Sequence, residues 1–289
     1  MPLPNTLVGA SSGPFSYTAD ARWLMAYAAA VGERAPCYFD TCATLAHHPL
    51  FPVCLEWDAI VALREGTEAD VMSVAEKASA VHAEHDLHLL RPIRAGERLH
   101  VTATAIALEA RRPGALLVKR LDTRDEQGAL VARTYQGTVY RGVAIEGAPR
   151  ALETPPAWPH AARHEATPQD ANHTIEVPAG LAHIYTECAR IWNPIHTDRA
   201  HALAADLPDI ILHGTATLAL AVSYLVANFL GGVPSRVTRL GCRMSGMVQM
   251  PATLILSAAE TTPGAIAFAL LDGRGAPVLS RGFVEFGRP

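Results

Sequence analysis

The chain has 289 residues, 49% of them hydrophobic and 18% charged, with a formal net charge of −4. That length suits one large domain or two of ordinary size, and the composition is that of a packed globular protein, not a disordered one. No long basic run occurs, which argues against nucleic acid as the main partner.

The first thirteen residues lack the basic end and apolar run of a secretory signal. The five cysteines (Cys37, Cys42, Cys54, Cys188 and Cys242) are odd in number and form no CxxC pair. They read as free thiols in a reducing cytoplasm, the expected location. Residues 21–31 (ARWLMAYAAAV) are rich in helix formers, and residues 54–64 space Leu55, Ile60, Val61 and Leu63 as a helix does. His82, His85 and His88 follow at three-residue intervals. On a regular strand His82 and His88 face one way and His85 the other. They therefore read as polar positions at a sheet edge or between two halves, and no metal site is expected. The loop pair His47-His48 reads no differently. An alternating run over 99–108, a segment at 114–118, a turn at 125–128 and a strand over 130–140 make antiparallel hairpins.

Residues 146–159 (EGAPRALETPPAWP) hold five Gly or Pro, so neither a helix nor an inner strand is expected. This divides the chain into a first domain, 1–145, a linker, 146–165, and a second domain, 166–289. The second half repeats the first. Helical patterns at 198–205 and 214–230 precede strands at 252–258, 264–268 and 277–286, with a turn at 272–275. Residues 215–230 carry no charge but fall short of the ~20 residues a bilayer needs, and Gly231-Gly232 stops them. They read as a buried helix, and no membrane partner is expected. Each half is thus an α+β unit, helices first and antiparallel sheet after.

The segment Asn193-Pro194-Ile195-His196, followed by His213-Gly214 at the head of the apolar helix, resembles the signature of MaoC-like (R)-specific enoyl-CoA hydratases. The resemblance implies a double hot-dog: two helix-plus-antiparallel-sheet repeats forming a pseudo-dimer, the first half degenerate. It implies that an Asp and a His share a water that adds to C3 of a trans-2-enoyl thioester while a proton goes to C2. It also implies a coenzyme A thioester as substrate and no cofactor. The residue chemistry agrees in part. His196 can take and return a proton near neutrality, Asn193 can bond loop backbone, and Gly214 opens a helix whose free N–H groups suit an oxyanion.

One position departs. The family's Asp, two residues before Asn193, is Ile191 here, and Arg190 precedes it where a small residue is usual. Losing one of two acid/base groups typically costs ~100- to 10,000-fold in rate. Glu187 and Asp198 are the carboxylates near enough in sequence to replace it, and His213 is a third candidate. Each also has a plainer reading: Glu187 as a solvated surface residue, Asp198 as the cap of the next helix, His213 as a structural ring. Tyr185 is a core residue by the same reasoning. No Walker loop, GxGxxG or GxSxG occurs, so nucleotide hydrolysis, Rossmann cofactors and α/β-hydrolase chemistry find no support. Arg236, Arg239 and Arg243 are candidates for coenzyme A phosphates or for an ordinary solvated face. Three functions follow: a lyase of fatty acid metabolism with an altered acid/base set, a non-catalytic acyl-thioester-binding or partner subunit, and a hot-dog acyl-CoA thioesterase. A homodimer of such units is open.

Overall fold

The computed structural model describes residues 1–68, 71–163 and 171–287. The end of the expected linker and the start of the expected second domain, at 164–170, lie outside the described residues. The first half contains β1 (Leu3–Pro4), β2 (Phe15–Ala19), α1 (Ala21–Ala30), α2 (Pro52–Glu68), α3 (Val74–Ala78), β3 (Ala80–Leu89), β4 (Glu97–Arg111), β5 (Gly114–Asp125), β6 (Leu130–Arg141) and β7 (Ile145–Glu146). After β8 (Arg150–Ala151) come β9 (Ala171–Val177), α4 (Leu181–Ala189), α5 (Arg199–Ala204), α6 (Gly214–Phe229), β10 (Val237–Met244), β11 (Ala252–Thr262), β12 (Ala265–Asp272) and β13 (Pro277–Phe286).

The sheet order shows the repeat. It runs β2-β4-β5-β6-β3-β10-β13-β12-β11-β9, every neighbour antiparallel. Read outward from the middle, β3-β6-β5-β4-β2 and β10-β13-β12-β11-β9 are the same arrangement twice, so a pseudo-twofold axis passes between β3 and β10. The strand that opens each half, β2 or β9, was not among the expected elements. Its pairing partner lies far along the chain, and a short run bears little periodicity.

The two turns read from sequence use one device in both halves. Asp125 Oδ1 accepts from the Gln127 and Ala129 amides, and Asp272 Oδ1 from those of Arg274 and Ala276. Gly128 and Gly275, at φ +81° and +82°, then turn the chain where a Cβ would be strained.

The long helices α2 and α6 lie in one continuous core with the sheet's inner face. α6 is apolar on most sides because it is enclosed: Ala216, Leu218, Ala219, Ala221, Val222, Leu225 and Val226 are all buried. α2 meets the sheet with polar groups as well. Thr134 donates to Glu56, and Tyr140 donates to Glu68, which also holds Arg64.

The expected facing of the β3 histidines is corrected. A register shift between His82 and Glu84 inserts a residue, so Val81 and Ala83 join a cluster on the outer face. His82 and His85 then share the inner side, the latter alternating with core Leu87. The connecting segment is not featureless either. β8 pairs with β4, and Ala161 and Ala162 pack on Phe283.

The seam of the halves is an ion pair. Arg239 of β10 holds Asp86 of β3 through two bonds of 2.9 and 2.8 Å, with Asp86 2% exposed. Arg243 holds Glu84, and Arg236 donates to the Gly287 and Leu230 carbonyls. Each of the three arginines thus has partners within the protein, which supports the plainer reading over a phosphate site.

Candidate active site

The site begins where α4 ends. Arg190 takes the left-handed conformation, φ 58°, that closes the helix. Its guanidinium lies 3.8 Å over the ring of Trp23 in α1, which offsets the strain. The Ile191 amide donates to Thr186 O at 3.1 Å, and the Ile191 side chain is buried in the main core. Pro194 then starts a one-turn 3-10 helix, Pro194–His196, its fixed φ suiting the first position.

That turn buries His196 and directs it at the segment before α6. His196 Nδ1 is 2.8 Å from Ile211 O. A carbonyl only accepts, so Nδ1 carries the proton and Nε2 keeps its lone pair. Ile211 is held by a bridge to Gln249, and Leu212 N donates to Val248 O at 2.8 Å. Burial lowers the His196 pKa to about 4 against a smaller opposing effect of Ile211 O. The ring is therefore neutral, in the form that accepts a proton.

His213 stacks on it, with ring centroids 3.7 Å apart. Its Nε2 donates to Ile191 O at 3.4 Å, with Thr186 Oγ1 at 3.2 Å, and its Nδ1 is buried without a partner. Burial, then the neighbouring His196, push its pKa well below the usual value. Two neutral imidazoles thus stand together at the start of α6. Tyr185 donates to Thr215 in that first turn at 3.1 Å and meets the Tyr27 hydroxyl at 3.3 Å. A Cβ at Gly214 would lie 2.4 Å from Met244 Sδ, so that side chain would have to shift to admit one. The early N–H groups of α6 have no helical partner, and with the macrodipole they suit a developing oxyanion.

The other expected residues separate. Asp198 accepts from His201 N at 3.2 Å and caps α5. Glu187 is exposed on α4, in the wall of a surface pocket of about 350 Å³ with His183, Thr186, Trp192, Pro194 and Thr197. Neither bonds His196. The Asn193 side chain caps nothing; its carbonyl accepts from His196 N at 3.1 Å.

Sequence reasoning missed a matching turn in the first half. Tyr27 and Tyr185, which touch across the axis, are 158 residues apart. The same offset relates the left-handed Gly32 and Arg190, the 3-10 turns Pro36–Tyr38 and Pro194–His196, and Asp40 and Asp198. Glu33 then matches Ile191, and Tyr38 matches His196. Aligning the halves on Tyr-x(8)-Pro would have found it.

Residues 162–267 match the MaoC like domain, and residues 6–134 match the FAS1-like dehydratase domain region. The 3-hydroxyacyl-thioester dehydratase Y of Mycobacterium tuberculosis is 32% identical over 218 residues, 72% of this chain and 73% of that protein. Among solved structures, a MaoC-like dehydratase of Phytophthora capsici superposes with a TM-score of 0.78 at 22% identity, covering 98% of this chain and 96% of that one. A double hot-dog protein of M. tuberculosis does so with a TM-score of 0.60 at 15% identity, covering 95% and 94%. The architecture is therefore the double hot-dog expected.

Proposed function

The chain belongs to the MaoC-like dehydratase family, and we propose that it hydrates trans-2-enoyl thioesters of coenzyme A, or in reverse dehydrates (R)-3-hydroxyacyl thioesters, with an altered acid/base set. The observation that carries this reading is His196: its Nδ1–H is spent on Ile211 O, so a neutral imidazole offers Nε2 beside the start of α6. In hydration His196 Nε2 takes a proton from water as the water oxygen bonds C3. The electron pair of the double bond moves toward the thioester oxygen, which the first N–H groups of α6 stabilise. A proton is then returned to C2, and the His213 ring, stacked on His196, is the nearest titratable group to share the transfer. The first half walls the acyl chain of a substrate held at His196. A cytoplasmic location and a homodimer belong to the same reading, as does a place in fatty acid metabolism.

Purified protein incubated with crotonyl-CoA, and with a branched or dicarboxylic enoyl-CoA, tests this by loss of the conjugated double bond. Turnover that survives unchanged in His196→Ala would refute this site. The buried Ile191 favours one other reading, a non-catalytic acyl-thioester-binding subunit, which binding without turnover would select. Release of free coenzyme A without hydration would select a thioesterase.

A further inference from the structure

The carboxylate missing beside His196 has a counterpart across the pseudo-twofold axis. We propose that the first half carries a second acid/base centre for enoyl thioesters, built on Glu33 at the position that Ile191 fills in the second half. This rests on the hydratase reading above and adds a second site to it.

Four side chains meet there. Glu33 follows the left-handed Gly32 just as Ile191 follows Arg190. One of its carboxyl oxygens, Oε1, is buried with no hydrogen-bond partner, and the buried Tyr38, the residue matching His196, turns its hydroxyl to the carboxyl. Tyr38 is 1% exposed, with Glu33 acting on its hydroxyl, so the open Glu33 Oε1 is the atom that costs stability unless a ligand meets it. The Leu50 amide donates to His48 Nδ1 at 3.1 Å, which places the imidazole proton on Nε2. That proton goes to Ser223 Oγ, 3.1 Å away on α6. Ser223 therefore accepts from His48, and its own proton is free for Glu33. This rules out Ser223 as a nucleophile with His48 as its base, and makes His48 and Ser223 a support that orients the carboxyl.

The charged and titratable neighbours are few. Burial raises the Glu33 pKa, while the Ser223 and Tyr38 hydroxyls pull it back. Cys37 feels the Glu33 charge, and buried His48 stays neutral, its pKa lowered to about 3. A partly desolvated carboxyl with one open oxygen is the group that a hydration needs. The step balances within that one group. Glu33 takes a proton from water as the water oxygen bonds C3, the C2–C3 π pair moves onto the thioester, and the carboxyl returns a proton to C2. The Tyr38 hydroxyl is the donor to the thioester oxygen.

The test compares kcat/KM on crotonyl-CoA for the parent, Glu33→Gln, His196→Ala and the double variant. Glu33→Gln is expected to lower kcat/KM at least tenfold in the His196→Ala background, with Glu33→Asp partly restoring it. The residual activity of His196→Ala is expected to fall as pH drops through the raised Glu33 pKa, and Glu33→Gln to abolish that limb, which a merely structural carboxyl would leave in place. Values within twofold for Glu33→Gln in both backgrounds would overturn the second centre and leave the hydratase reading standing. A parent inactive on every enoyl thioester would overturn both.

Discussion

Placing a carboxylate at Ile191, where the resemblance implies one, gives the sharpest test of the proposed second-half site. In Ile191→Asp a buried, 7% exposed isoleucine becomes an ionisable group beside His213. Giving up the burial of the isoleucine costs about 1.5–3 kcal/mol. A carboxyl whose pKa burial raises by about two units costs roughly 3 kcal/mol more at neutral pH. Set against a global stability of about 5–15 kcal/mol, a loss of about 5 kcal/mol must lower the melting temperature, and circular dichroism at 25 °C shows whether the fold survives it. Arg190 does not stand in the way, since its guanidinium is engaged on Trp23 of the first half. A second acid/base group contributes about 100- to 10,000-fold, so kcat/KM for crotonyl-CoA hydration is expected to rise at least tenfold after any misplacement is allowed for. Ile191→Asn is the control, with a similar shape and no proton to exchange. If Ile191→Asp is folded by circular dichroism and no faster than Ile191→Asn, Ile191 is not what limits proton transfer here, and the reasoning fails.

Three further outcomes follow from the same structure. His196, its pKa lowered to about 4 by burial, should show no titration between pH 5.5 and 8 in an NMR experiment; a midpoint near 6.5 would contradict the buried, Ile211-bonded ring. His85 has both ring nitrogens buried and unpartnered, and burial lowers its pKa to about 4. The unfolded chain binds that proton more tightly between about pH 6.5 and 4, so stability drops as pH falls through this window, by about 2 kcal/mol from pH 7 to 5. His85→Leu should remove that share of the slope in urea unfolding at the two pH values, and an unchanged slope would reject it. Arg239→Met should cost about 3–5 kcal/mol because it leaves the buried Asp86 at the seam without its guanidinium, with His88 still beside it, and adding Asp86→Leu should recover most of the loss.

Much of the molecule was legible in the sequence, and each legible part has a local cause. The Asp-Gly turns at 125–128 and 272–275 are set by side chains bonding amides two and four residues on. The apolar helix over Gly214–Phe229 is set by composition, and the turn that carries His196 by Pro194. Ile191, two residues before Asn193, is likewise read directly from the sequence.

Tertiary structure decided the rest. A bulge in β3, visible only against β6, put His82 and His85 on one side. Arg239 and Arg243 found carboxylates on a strand of the other half, a pairing between residues more than 150 positions apart. The state of His196 was settled by one distant carbonyl, that of Ile211, which no spacing rule announces. The surroundings of Glu33, with Ser223 of the other half among them, likewise formed only in three dimensions. Local sequence governs backbone preferences within a few residues, whereas tautomers, ion pairs and equivalence between halves depend on contacts that form only when the sheet closes.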